Sequence, residues 1–248
     1  MLIAPELHLA ALPPLLEGRD GYGDLLATEI PGPLTDRLAE IARESEFWLV
    51  PGSLYERGEQ GRLHNTTVVL SPEGELVARY RKVFPWQPHE TCAAGDRFVT
   101  FDIPDVGRVG LAICYDGNFP ETFRQLAWMG AEVVLQPTLT TTSDRDAELV
   151  MARANAIFNQ VHVVSVNAAE PAGLGRSAII DPEGLVRVGA GGGEELLTDV
   201  LDLDAVTRVR RFGTAGVSRM WEQLDRDGAR IELPMYGGSI QPRPRDGP

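Results

Sequence analysis

Apolar residues along this chain gather in short runs of strand length, separated by turn signals and by a few stretches whose apolar positions recur at helical spacing. Residues 2–5 read as a strand. From 34 to 46 the apolar residues Leu34, Leu38, Ile41 and Ala42 share one face, with Pro33 near the start, which predicts a helix. Strands are predicted at 47–54, 65–70 and 76–80. The last two are joined by Ser71-Pro72-Glu73-Gly74, a hairpin turn by its chemistry, because proline fixes one backbone angle and glycine accepts a positive one. A strand pair follows at 99–103 and 108–114, then a helix at 121–129 ending at Gly130, a strand at 132–136, a helix at 147–159 and a strand at 161–166. Segments 177–180 and 185–188 flank Asp181-Pro182-Glu183-Gly184, a second copy of the Pro-Glu-Gly turn. Hairpins and helix-linked strands in one chain predict layered α and β structure. From Arg211 onward glycine and proline increase and periodicity fades, so the division expected is a domain over 1–211 and an extended arm over 212–248, with 241–248 disordered.

Composition narrows the roles open to such a domain. The 248 residues are 43% apolar and 24% charged, enough to bury a substantial core. The formal net charge of -13, with no basic stripe, argues against a nucleic-acid partner. Apolar runs such as 109–114 and 132–135 are far shorter than the roughly 20 residues a helix needs to cross a bilayer, so no membrane role is expected. The first residues lack the basic-then-apolar pattern of a secretory signal. Cys92 and Cys114 make neither a disulfide framework nor a metal quartet, and a reducing, cytoplasmic setting is the expectation. His8, His64, His89 and His162 are scattered without zinc spacing. The glycine run 189–193 lacks the Lys-Ser/Thr of a phosphate loop. No metal or cofactor is expected.

Three apolar runs each end in a different reactive group. Glu6 ends the first, Lys82 the run 76–81, and Cys114 the run 109–113, just before the turn Tyr115-Asp116-Gly117-Asn118. Lys82 is also the only lysine in the chain. An arginine-rich coding bias explains that in part, yet a compact ammonium can approach a reacting oxygen where a planar guanidinium is too bulky. Carboxylate, ammonium and thiol together are a kit for acyl transfer: a thiol needs a base, and the tetrahedral intermediate needs a cation or dipole for its oxyanion. Spacing alone does not bring them together, and each taken singly reads as a salt-bridge residue or a core cysteine. The order Cys114, His162, Asn167 also admits a papain-like protease.

The segments that carry these groups, Ala4-Pro5-Glu6-Leu7, Tyr80-Arg81-Lys82-Val83-Phe84-Pro85-Trp86 and Ile113-Cys114-Tyr115-Asp116-Gly117-Asn118-Phe119-Pro120-Glu121, resemble the three catalytic segments of the nitrilase superfamily of carbon-nitrogen hydrolases. Within it they are similar to the aliphatic amidase and formamidase branch. The resemblance implies a four-layer α-β-β-α sandwich and cofactor-independent hydrolysis of a small linear carboxamide to carboxylic acid and ammonia through a cysteine thioester. It implies Glu6 as base, Cys114 as nucleophile favoured as thiolate by the ammonium, Lys82 and the Tyr115 backbone N–H at the oxyanion, and Glu90 as a second carboxylate. Trp86 and Tyr55 are expected at the pocket, Asp116 is expected to order the turn, and a homo-oligomer is implied, with the arm after Arg211 packing on a neighbour. N-carbamoyl amidohydrolase, nitrilase and a catalytically inactive binding subunit remain open alternatives. Two departures stand out. Leu7 replaces the tyrosine that commonly follows the catalytic glutamate, and the family's first strand and helix have no counterpart before Glu6, so Met1 is expected to be an internal methionine of a chain that starts upstream.

Overall fold

The computed structural model describes residues 1–10, 22–225 and 231–240. In chain order its elements are β1 (Leu2–Ile3), α1 (Tyr22–Leu26), α2 (Pro33–Ser45), β2 (Leu49–Val50), β3 (Ser53–Arg57), β4 (Leu63–Leu70), β5 (Leu76–Arg81), β6 (Val99–Ile103) and β7 (Gly107–Leu111). Then come α3 (Pro120–Trp128), β8 (Val133–Thr138), α4 (Arg145–Asn159), β9 (His162–Asn167), β10 (Ala178–Ile180), β11 (Val186–Gly189), α5 (Asp204–Phe212), α6 (Met220–Asp225), β12 (Ile231–Leu233) and β13 (Gly238–Ile240).

Two sheets form the body. In the first, β1 runs parallel to β2, while β2 and β3 lie along one edge of β4 and β5 pairs with its other edge. The run predicted as one strand over 47–54 is therefore two strands on a single track, broken at Pro51-Gly52. Proline offers no N–H to the ladder there, and Gly52 takes a φ of +83° that a side chain would oppose. The second sheet has the order β11-β10-β9-β8-β7-β6, with β7, β8 and β9 parallel. Both Pro-Glu-Gly turns close antiparallel pairs, β4 with β5 and β10 with β11.

Period-two alternation sorts the side chains into three apolar layers. Val50, Val69, Ala78 and Tyr80 of the first sheet meet Val109, Leu111, Val133, Leu135 and Val164 of the second, so the sheets pack face to face. On the outer face of the first sheet, Leu38 and Ala42 of α2 cover Leu54, Val68 and Leu70. On the outer face of the second, Phe123, Leu126 and Ala127 of α3 with Ala152 and Ala156 of α4 cover Val134, Val163 and Ile180. The result is the expected α-β-β-α sandwich. An apolar cavity of about 550 Å³ opens between the sheets beside β1, lined in part by Ile3, Ile103, Leu135 and Leu203.

The C-terminal region carries more structure than its composition suggests. Helix α5 spans Asp204–Phe212 and buries only Val206 and Val209, an apolar stripe too narrow to stand out. Helix α6 lies within the segment read as an extended arm, and Trp221 stacks on Trp128 of α3 at 6.0 Å while its indole N–H donates to the Asn159 carbonyl. That part of the arm packs on its own chain. The disorder expected for 241–248 lies outside the described residues. Among the described residues, no helix is long and apolar enough to cross a membrane.

Candidate active site

The loops after β1, β5, β7 and β8 converge at one end of the two sheets. Lys82 continues β5 by one residue, its main-chain N–H donating to the Asn65 carbonyl at 2.8 Å. Alternation then sets Lys82 on the inner face with Ala78 and Tyr80, and Arg81 on the outer one, where its guanidinium forks onto Glu56 at 2.9 and 2.6 Å. The ammonium of Lys82 instead reaches two carboxylates, Glu6 Oε1 at 3.0 Å and Glu90 Oε2 at 2.7 Å. Lys82 and Glu6 are buried, 2% and 5% exposed, and the Glu90 side chain is partly buried at 15%.

Glu6 is held at both oxygens. Oε1 also accepts from Asn65 Nδ2 at 2.8 Å, and Oε2 accepts the Leu139 N–H at 2.9 Å. Its backbone N–H donates to the Thr138 carbonyl at 3.3 Å. The backbone before Glu6 lies so close to Gly52 that a Cβ there would stand 1.7 Å from the Pro5 carbonyl oxygen. We therefore expect Gly52→Ala to displace the Glu6 segment and to lower unfolding free energy by more than ~3 kcal/mol, read as the denaturant midpoint. Glu90 completes the cluster, accepting from Asn65 Nδ2 at 2.9 Å and from the Trp86 N–H at 2.9 Å.

Cys114 begins the short 3-10 turn Cys114–Asn118 with a φ of +45°, a left-handed conformation that a non-glycine residue adopts only when its surroundings enforce it. Asp116 is one enforcer. Its Oδ2 accepts from the Ile113 N–H at 2.8 Å and the Tyr80 hydroxyl at 2.7 Å, and its Oδ1 from the Phe84 N–H at 2.9 Å. This buried carboxylate joins the cysteine turn to the chain on both sides of Lys82, and burial pushes its pKa up to about 6 despite the three donors. Asp116→Asn puts an NH₂ against one of those donors. The expected cost is ~1–3 kcal/mol of stability, measured by denaturant unfolding at neutral pH. Gln136 supports the same turn, donating to the Cys114 carbonyl at 2.9 Å.

The electrostatics assign resting states. Burial would push the Lys82 ammonium toward neutrality, but the Glu6 and Glu90 carboxylates outweigh it and hold its pKa well above the usual lysine value. For Glu90, burial favours the acid, yet Lys82 wins and keeps it a carboxylate. Burial and the Glu6 charge push the Cys114 thiol well above its ordinary value, while Lys82 and the Leu139 backbone pull the other way without prevailing. Lys82 therefore favours the thiolate, as expected from the sequence, while burial and the Glu6 carboxylate favour the thiol. Cys92, the other cysteine, is 3% exposed, and burial with the Glu90 charge pushes its thiol up to about 12.

Glu6, Lys82 and Glu90 are thus in direct contact, and Cys114 lies within their field. Tyr55, on β3 opposite Asn65, also faces this group, its phenol raised by burial and by the charges of Cys92, Glu6 and Glu90. Trp86 does not line the cluster with its ring: it is 38% exposed and stacks on His89 at 4.4 Å, and its main-chain N–H makes the contact to Glu90. Tyr115 packs edge-on against Phe119. Asn65 and Leu139 escaped the sequence reading. Asn65 sits among the other polar residues His64, Thr66 and Thr67 of β4 and so does not stand out, and a backbone amide leaves no trace in residue type.

The papain-like arrangement fails on geometry. His162 pairs with Val133, which pairs with Val109. Cys114 lies five residues beyond Val109, about 16 Å along the strand direction at ~3.3 Å per residue. The His162 ring meets the Asp202 carbonyl instead, at 3.2 Å. Among the described residues, no cluster of three or more His, Cys, Asp or Glu is arranged to hold a metal ion.

The carbon-nitrogen hydrolase family model matches residues 5–211. The omega-amidase NIT2 of Mus musculus is 35% identical over 202 residues, spanning 75% of this chain and 72% of that protein. The formamidase of Bacillus thuringiensis (strain Al Hakam) is 36% identical over 141 residues, 56% of this chain and 42% of the relative. Among solved structures, a glutamate-to-glutamine variant of the amidase from Nesterenkonia sp. AN1, with the acetamide moiety of fluoroacetamide attached at the active-site cysteine, superposes with a TM-score of 0.65. It is 25% identical and covers 77% of this chain and 73% of its own.

Proposed function

We propose that this chain, which belongs to the carbon-nitrogen hydrolase family, hydrolyses a small linear carboxamide to a carboxylic acid and ammonia through a thioester on Cys114. The observation that carries this reading is the buried contact of Glu6, Lys82 and Glu90 beside a strained cysteine. Amidases among the relatives, one with a covalent adduct on its cysteine, support it.

The Glu6 carboxylate takes the proton of the Cys114 thiol as sulfur attacks the amide carbon and forms the C–S bond. The carbonyl oxygen becomes an oxyanion, stabilised by the Lys82 ammonium and the Tyr115 backbone N–H. Collapse breaks the C–N bond, and the proton held by Glu6 passes to nitrogen, which leaves as ammonia. Water enters, Glu6 removes its proton, and the oxygen attacks the thioester carbon. Collapse of this second intermediate releases the acid, and the thiol regains the proton from Glu6. Because the thiol rests neutral, the base is needed at the first step. Glu90 keeps Lys82 protonated and aimed, sharing the donor Asn65 with Glu6. Tyr55 borders the acyl pocket and Trp86 its rim.

The test is release of ammonia and carboxylate in equal amounts across formamide, acetamide, propionamide and butyramide. Equal release from at least one supports the reading. Carbon dioxide released with ammonia from N-carbamoyl compounds, or turnover of nitriles alone, with every amide untouched, would replace it.

A further inference from the structure

A buried ion pair lies behind the nucleophile on a helix that carries none of the proposed reacting groups. In the first turn of α4, Arg145 Nη1 meets Glu148 Oε2 at 3.1 Å, with side chains 1% and 9% exposed. The same Glu148 oxygen accepts the Thr140 hydroxyl at 2.7 Å. Arg145 Nη2 donates to Ser165 Oγ at 3.2 Å on β9 and to the Arg176 carbonyl at 3.0 Å, which anchors the pair to the second sheet. The Thr140 N–H donates to Asn167 Oδ1 at 2.8 Å.

The loop these contacts fix is the one that touches both reacting groups. Leu139, next to Thr140, donates its N–H to Glu6 Oε2, and its backbone lies near enough to Cys114 to favour the thiolate. A charged pair of this depth is costly to desolvate and adds little stability over an apolar one. Arg145 ties the pair to the second sheet, and Glu148 reaches through Thr140 to the loop beside Glu6. The charged groups facing Cys114 are Glu6 from the segment after β1, Lys82 after β5, and Glu148 with Arg145 from α4.

We propose that the Arg145–Glu148 pair is a positioning element for the reaction: it clamps the 139–140 loop on the Glu6 carboxylate, and its charges set the pH at which Cys114 becomes reactive. This rests on the reading of Glu6 and Cys114 given above. Glu148→Gln keeps the shape of the side chain and removes its negative charge, leaving the Arg145 cation to favour the thiolate. Thr140→Val cuts the link to the loop and leaves the charges in place.

The experiment is iodoacetamide alkylation of Cys114 against pH, read by peptide mass spectrometry so that Cys92 is resolved separately, alongside kcat and KM on the best amide. Glu148→Gln is expected to move the alkylation midpoint down by about one pH unit. Thr140→Val is expected to leave the midpoint in place and lower kcat about tenfold, with KM within about twofold. An unmoved midpoint in Glu148→Gln, or full kcat in Thr140→Val, overturns the proposal. If Glu148→Gln does not fold, Thr140→Val decides alone. Alkylation needs no turnover, so a wild-type chain that shows these pH effects yet hydrolyses no amide refutes the proposed function without touching the electrostatic half of this inference.

Discussion

Cys114→Ala is expected to abolish amide hydrolysis through the thioester while leaving the fold intact. The sulfur is the atom that bonds carbon in the proposed path, and an alanine side chain offers no nucleophile in its place. A residual activity limited to about 10³-fold over water, of the kind that oxyanion stabilisation and binding alone provide, stays compatible with the account. Cys114→Ser is expected to be nearly as inactive, because an alkoxide is far harder to form than a thiolate and the site already disfavours the anion. The fold should tolerate either change. Cys114 contributes its side chain to no backbone ladder, and its strained φ is enforced by Asp116 and Gln136, which neither variant touches. Ammonia release and a denaturation curve on the same preparations separate lost chemistry from lost structure. Undiminished ammonia release by Cys114→Ala would end the cysteine mechanism.

The second large effect is at the base. Glu6→Gln keeps an acceptor for Lys82 and Asn65 at one atom, but its NH₂ meets the Leu139 N–H at the other, so one good hydrogen bond becomes a donor-donor contact. General base and acid catalysis by a positioned carboxylate contributes about 10² to 10⁴ in rate, and kcat is expected to fall by that amount. KM should change little, because Glu6 is committed to Lys82, Asn65 and Leu139. Both half-reactions need the proton transfer, but deacylation needs it to activate water. Glu6→Gln also removes the carboxylate charge that raises the Cys114 thiol, so an activated acyl donor whose leaving group needs no protonation is expected to acylate it slowly without the base and to remain attached. Turnover of simple amides by Glu6→Gln within about threefold of wild type would place the base elsewhere.

Much of this site was legible in the sequence because each reacting group ends an apolar strand, and strand ends are visible in residue pattern. Glu6, Lys82 and Cys114 could be picked out individually in that way, and the solitary lysine drew attention to Lys82. Their convergence was not legible, because it depends on two sheets stacking through Val69, Tyr80, Leu111 and Leu135. Glu90 came from resemblance to a family and not from pattern, since a loop carboxylate carries no periodic signal. The partners that fix the geometry stayed hidden for similar reasons. Asn65 acts through register with Lys82 across one ladder, Leu139 through its amide, and the Arg145–Glu148 pair through a helix that packs on a different sheet from Glu6. The break at Pro51-Gly52 was readable in principle, since both residues oppose a continuous strand. Trp86 shows the limit of residue type as a guide: an aromatic near the site contributes its backbone to the cluster and leaves its ring at the surface.

The central claim is that an acyl group passes through the sulfur of Cys114 under the control of Glu6. It is tested most directly by incubating the Glu6→Gln chain with an activated short-chain acyl donor, quenching in acid and mapping the adduct by peptide mass spectrometry. The account predicts one acyl mass increment on the peptide containing Cys114, none on that containing Cys92, and loss of the label in the Glu6→Gln, Cys114→Ala double variant. Label on Cys92, label that persists in the double variant, or no covalent species from any donor the wild-type chain turns over would contradict it.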